Sequence, residues 1–201
     1  MVSEKRSLSF IFLLFFLLLA NIICSQDYPY SLTERISRYS EFIDADKFDK
    51  SLLADAILYE LDKELKHIEE KSQNYDSVLS KAAYDYAVQM ATAMDAVQGL
   101  GGKKMTLISR LNKYGYSGRL CEELLIKTSF KNGKELMTFQ QLAGDIVFKW
   151  FNNAKTAEIL KNDEFVLVGT GAEIDAEKKK IYVSLILGNY LVYNQSAAKI
   201  K

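Results

Sequence analysis

The sequence predicts an α+β layered domain, helices first and a hairpin last. Two observations carry this. Apolar residues recur at three- and four-residue steps from Ser51 to Met94, the spacing of helices that bury one face. Near the end, two β-rich runs, 165–174 and 181–188, flank the short polar connection AspAlaGluLysLysLys (175–180), the pattern of an antiparallel hairpin. Elements that segregate in this order build a layered α+β domain.

Taken in order, the chain opens with an apolar run, Leu8 to Cys24, behind a short head that carries Lys5 and Arg6. A basic head, an apolar stretch and a small residue at its end are the parts of a secretory signal peptide. Ile23 and Ser25 fit a cleavage site before Gln26, so residues 1–25 are expected to direct export. Two alternatives stay open: an uncleaved segment long enough to span a bilayer, or lipidation of Cys24, against which stands the bulk of Ile23. The membrane is a partner only through this segment. A secreted or periplasmic location follows, or a membrane-anchored one if the segment stays attached.

Residues 26–50 are a polar and aromatic lead-in holding Pro29, with one short helix expected from Leu32 to Phe42. The first long helix places Leu53, Ala56, Ile57, Leu61, Leu65 and Ile68 on one face, with charged residues between them. Polar residues 71–77 interrupt, and a second helix from Val78 to Met94 follows. Clustered glycines make 98–102 a loop. Thr106 suits the cap of a short helix ending at Tyr114, with Gly115 in the left-handed position beyond it. Arg119 to Thr128 reads as a strand. ThrPheGlnGln (138–141) has the spacing of a capping box, and the helix it opens, to about Asn152, buries Leu142, Ile146, Val147 and Trp150. The domain therefore covers 51–190, and 191–201 is a tail whose aromatic start, Tyr190 and Tyr193, packs on the domain edge.

Composition narrows the function classes. The 201 residues are 49% hydrophobic and 26% charged, an ordinary globular balance. Taking Glu4, Lys5 and Arg6 away from 26 charges of each sign leaves 24 basic and 25 acidic side chains, a formal −1. Such a surface has no summed positive field for phosphates, which excludes nucleic acid as a partner. With Cys24 in the export segment, Cys121 has no intramolecular partner, and a lone cysteine in an apolar strand is a small inert hydrophobe.

Several motifs in one order resemble the CAP superfamily, the SCP-like extracellular domain. LeuSerLysAlaAlaTyrAspTyrAlaValGlnMetAla (79–91) is similar to its second helix, and ArgLeuAsnLysTyrGlyTyrSer (110–117) to its R-L-x-x-x-G-Y-S turn. CysGluGluLeuLeu (121–125) falls where the family has G-E-N-I-A, and 145–160 resembles its W-x-x-S-P-x-H-R-x-N-I-L region with one residue missing. ValGlyThrGlyAla (168–172) and 181–188 resemble its last two strands. The resemblance spans Leu52 to Asn189 and implies a three-layer α/β/α sandwich ending in an antiparallel hairpin.

It also implies a central cavity where many members hold two histidines and a glutamate for a divalent metal. The glutamate maps onto Glu122, the first histidine near Gln98 and the second near Lys155 or Thr156. None of the last three is an imidazole, and Lys presents donors only, so the metal site is expected to be lost and no cofactor is expected. The one histidine, His67, falls on the charged side of the first long helix. Glu122 and Glu123 point to opposite faces of a strand. Were Glu122 inside, Lys155 would pair with it as a buried ion pair in place of the metal. GlyThrGly (169–171) precedes a strand rather than a helix and reads as close packing or a bulge, not a dinucleotide loop. LysLys (103–104) and LysLysLys (178–180) are expected at solvated loop tips.

The expected function is a non-catalytic binding or interaction module for a small apolar ligand, a peptide or an envelope component. The alternatives are a residual hydrolase acting through Glu122 and an envelope-associated structural protein.

Overall fold

The computed structural model describes residues 32–69, 71–96, 106–129 and 137–190. Outside them lie the N-terminal apolar segment with Cys24, Pro29, Gln98, the glycine-rich stretch expected as a loop, Lys103, Lys104 and the tail with Tyr193. The chain divides into two units, Met1–Arg35 and Ile36–Lys201. The second holds the sheet and the elements packed on it.

The short helix α1 spans Leu32–Arg38, ending earlier than expected. Tyr39 and Ile43 follow it into the core, 1% and 4% exposed, so the lead-in supplies part of the packing. A single turn at Ala45–Lys47 leads into α2, Lys50–Glu69. Leu53, Ala56, Ile57, Leu61 and Leu65 lie along its buried stripe, while Ile68, expected there, is partly exposed at the helix end. Strand β1, Asn74–Tyr75, comes next, then α3, Ser77–Ala96. Asp76 caps α3: one carboxylate oxygen accepts from Val78 N at 2.8 Å and Leu79 N at 2.9 Å.

Helix α4, Leu107–Lys113, starts from Thr106, whose hydroxyl accepts from Ser109 N at 3.2 Å. Gly115, at φ 79°, takes the left-handed position that ends it. Strand β2 is Cys121–Ser129. Helix α5, Phe139–Phe151, opens on the expected capping box: Gln141 N donates to the Thr138 hydroxyl at 3.2 Å and Thr138 N to the Gln141 side chain at 3.0 Å. The short α6, Ala154–Lys161, was not expected; Asn153 caps it by accepting from Lys155 N and Thr156 N. Strands β3, Leu167–Asp175, and β4, Lys180–Gly188, close the chain as the expected hairpin.

The sheet order is β1-β3-β4-β2. β4 pairs antiparallel with β3 on one side and β2 on the other, and β1 runs parallel to β3. Each side of the sheet carries helices, which makes the three-layer α/β/α arrangement. On one face α2 and α5 pack over Leu124, Val168, Ala172, Ile181, Val183, Leu185 and Leu187. On the other, α3 and α4 pack over Leu167 and Ile186. Strand alternation sorts these two sets. Burying a leucine or isoleucine side chain contributes about 1.5–3 kcal/mol, so the larger α2/α5 core carries most of the hydrophobic stabilisation.

The α3 face is closer-packed at the backbone. A Cβ on Gly169 would lie 2.3 Å from Ser80 N, and one on Gly171 would lie 2.3 Å from Tyr84 Cα. The GlyThrGly run is a bed for a helix backbone, the packing role expected of it.

Candidate functional site

β2 carries Glu122 and Glu123 side by side, and the strand turns them to opposite faces. Glu122 faces the α2/α5 side, where the sheet end meets α6. It lines a cleft of about 540 Å³ with Leu120, Glu158, Ile159, Asn162, Glu164 and Phe165 among its walls. The floor is apolar: Phe165 is buried and Leu120 is 39% exposed. Three carboxylates, Glu122, Glu158 and Glu164, rim it, opposed by one cation, Lys161. All three carboxylate residues are exposed.

Lys155 does not meet Glu122. It sits exposed in the first turn of α6, outside the cleft walls, and its backbone N–H is taken up by the Asn153 cap. The buried ion pair envisaged between them is therefore not formed. Its physical reason is plain: both side chains reach water, and nothing compensates the desolvation that pairing inside would require. Thr156, the other position for the second histidine, is spent on structure. Its hydroxyl donates to the backbone carbonyl of Trp150 and accompanies the Asn153 carbonyl at 3.1 Å, holding the α5–α6 corner.

Glu123 is the carboxylate that turns inward, and the sequence did not reveal which of the two it would be. Arg110 on α4, 1% exposed, donates to Glu123 at 2.5 Å and to the carbonyl of Ala82 at 3.1 Å. Its guanidinium lies 4.1 Å from the centroid of the Tyr86 ring. Ser184 on β4 donates to the same Glu123 oxygen at 2.7 Å. Four elements converge here, and the polar groups are matched. The signal available was Arg110 itself, an arginine beside Leu111 on a short helix.

A second polar cluster ties the far end of β3. Lys50 donates to the Tyr84 hydroxyl and, at 3.1 Å, to Glu173; Tyr84 donates to Glu173 at 2.9 Å. Burial pushes the Glu173 carboxyl up, but the Ile174 N–H, Lys50 and Tyr84 together outweigh it and leave it below its ordinary value. Lys50 is raised, chiefly by its bond to Tyr84. Cys121, half-buried and free, has its thiol pushed up by burial first and then by Glu122 and Glu123. That keeps it protonated and unreactive, as expected of a structural cysteine. His67 is exposed on α2.

No family model matches the chain, and no curated protein matches it. Solved structures do. An outer surface protein of Borrelia burgdorferi superposes with a TM-score of 0.52 at 20% identity, covering 75% of this chain and 99% of that one. An extracellular protein containing an SCP domain, from Bacillus anthracis, superposes with a TM-score of 0.53 at 13% identity over 70% of this chain. The chain has the SCP fold. It spans 41% of the Bacillus protein. The SCP fold is the α/β/α sandwich implied by the motifs of helix α3, the α4 turn and the last two strands.

A divalent metal, which that resemblance implies, does not fit the described residues. The zinc site that the resemblance implies is built on two neutral imidazoles; the described positions mapped onto it supply Glu122 and the ammonium of Lys155, which donates only. Among the described residues no group of three or more His, Cys, Asp or Glu could hold a metal ion. Gln98 lies outside them.

Proposed function

We propose that this chain is an exported or cell-surface protein whose SCP-fold domain acts as a non-catalytic binding module through the cleft between β2 and α6. The observation that carries the reading is the cleft's chemistry: an apolar floor of Leu120, Ile159 and Phe165 under a carboxylate rim, with no imidazole or activated nucleophile in its walls. A nucleophilic step needs a base beside the attacking group. Among the described residues Glu122 has no such neighbour, and burial holds the Cys121 thiol above its ordinary value. The histidine metal site of the resembling family is lost in this copy, with Gln98 and Lys155 in place of the imidazoles. Export is supported by the apolar N-terminal segment and by structural neighbours described as outer-surface and extracellular. Among the described residues no helix is long and apolar enough to cross a membrane.

The floor and rim together favour a ligand with an apolar body and a basic group, a peptide or envelope component rather than a neutral lipid. The test is assay of the purified chain on peptide and ester substrates, with and without chelator, beside Glu122→Ala and a zinc titration. No turnover and no stoichiometric zinc uptake are expected. Turnover abolished by Glu122→Ala would replace this reading with a residual hydrolase.

A further inference from the structure

We propose that the outer edge of β2 pairs with the same edge of a second copy of this chain, antiparallel about a two-fold axis through Leu125, so that two sheets join into one. This pairing is independent of what the cleft between β2 and α6 binds.

Among the described residues β2 is paired along one flank, by β4, and no strand pairs with the other. β4, paired on both flanks, has no exposed residue, whereas Glu122, Leu125, Lys127 and Ser129 of β2 are exposed. In an antiparallel ladder alternate residues turn their N–H and C=O away from the partner strand. On an edge strand these groups are a template for another strand. Folded proteins blunt such edges by brevity, bulges, proline or charge. The far edge of the sheet uses brevity, since β1 is two residues long. β2 runs from Cys121 to Ser129 without proline, and its register with β4 skips no residue, so it has no bulge. Charge alone is left, in Glu122, Glu123 and Lys127, and between them stands Leu125, 44% exposed.

Those charges select the occupant and its register. A two-fold axis normal to the sheet keeps each face on its own side, so opposed residues share a face and the axis passes through a residue. An axis at Glu123 or at Lys127 sets that charge against its own copy, which destabilises the pair. At Leu124 the axis sets Glu122 against Ile126 and Glu123 against Leu125; at Ile126 it sets Lys127 against Leu125. Axes nearer the ends leave most of the strand unpaired. The axis at Leu125 matches every pair: Leu125 meets Leu125, Leu124 meets Ile126, Glu122 meets Thr128, and Glu123 meets Lys127 on each side of the axis. Aliphatic pairs and opposite charges so placed are the ones that stabilise a sheet. Glu123 has room for this. Arg110 and Ser184 both bond to its Oε1, which among the described residues leaves Oε2 for Lys127 of the second copy.

Disulfide trapping in the full chain, with Cys24→Ser and Cys121→Ser as background, tests this. Directly opposed Cβ atoms lie ~4.5–5.5 Å apart across such a pair. Leu125→Cys is therefore expected to form a covalent dimer in air at least tenfold faster than Glu177→Cys, at the exposed turn of the hairpin. Adding Lys127→Glu, which sets a second carboxylate against Glu123, should slow trapping at position 125 several-fold. Equal rates at 125 and 177, or a rate at 125 indifferent to Lys127→Glu, would overturn the proposal. The unaltered full chain supplies a second measurement that no folding defect can confuse. It should sediment as a dimer, and its outward β2 amides should exchange at least tenfold more slowly than in the same chain diluted to monomer. A chain that stays monomeric overturns the pairing. So does a dimer whose outward β2 amides exchange as they do in the monomer, because another surface then joins the copies or the chain's own residues cover the edge.

Discussion

Glu122 and Glu123 are neighbours in sequence and opposites in fate. Glu123 is held by Arg110 and Ser184 beneath α4, on the face where helix and sheet backbones touch. Glu122 stands one residue away, exposed, in the wall of a cleft it shares with Leu120, Lys161 and Phe165. The strand's two-residue period converts one dipeptide into a structural pin and a solvent-facing carboxylate. A motif glutamate is therefore not assigned a role by its neighbours in sequence; the face it is turned to decides.

The contrast can be broken most strongly at the pin. Arg110→Met leaves Glu123 half-buried without its cation, and losing one partner of such a pair costs ~3–5 kcal/mol. Urea unfolding should show that loss, and Glu123→Gln alone should fall short of it because Ser184 and Arg110 can still bond the amide. Next in size is Gly171→Ala. Its methyl group would meet the Tyr84 backbone, and overpacking of this kind costs ~1–3 kcal/mol, read as a lowered melting temperature.

The third prediction concerns pH. Glu173 is lowered from its ordinary 4.5, so the folded state binds its proton less readily than the unfolded one. Its contribution is fully present above about pH 4.5 and is lost as the pH falls through the depressed folded value. Glu173→Gln should flatten the acid limb of the stability–pH curve and leave the neutral region's slope unchanged. The smallest effect belongs to Glu122→Gln, an exposed change expected within ~0.5 kcal/mol of zero. A loss as large as that of Arg110→Met would erase the distinction between the two glutamates.

What the sequence made legible follows its periodicities. Helices α2, α3 and α5 announce themselves by apolar spacing, and Thr138 with Gln141 marks a helix start because a capping box is a purely local arrangement. The hairpin was legible for the same reason. β1 was not: two residues carry no period, and Asn74–Tyr75 is a strand only because Asn74 N and Asp76 N find the carbonyls of Val166 and Val168. α6 is short, and its one local signal is the cap residue Asn153 ahead of AlaLysThrAlaGluIleLeuLys. The inward turn of Glu123 depends on which side of β2 receives α4. That is set by Arg110, thirteen residues earlier in the chain, and no local pattern encodes it. The pairing of Glu122 with Lys155 failed likewise, since mapped positions fix order along the chain and not the direction of a side chain.

The glycine bed under α3 has one more consequence. With Gly169 and Gly171 bare, the helix rests at those two points directly on strand backbone, with no slack to take up there. That layer can only stay in register or be displaced as a whole. Side-chain variation is freer on the opposite side, where α6 and the start of β2 meet through exposed side chains such as Glu122 and Glu158.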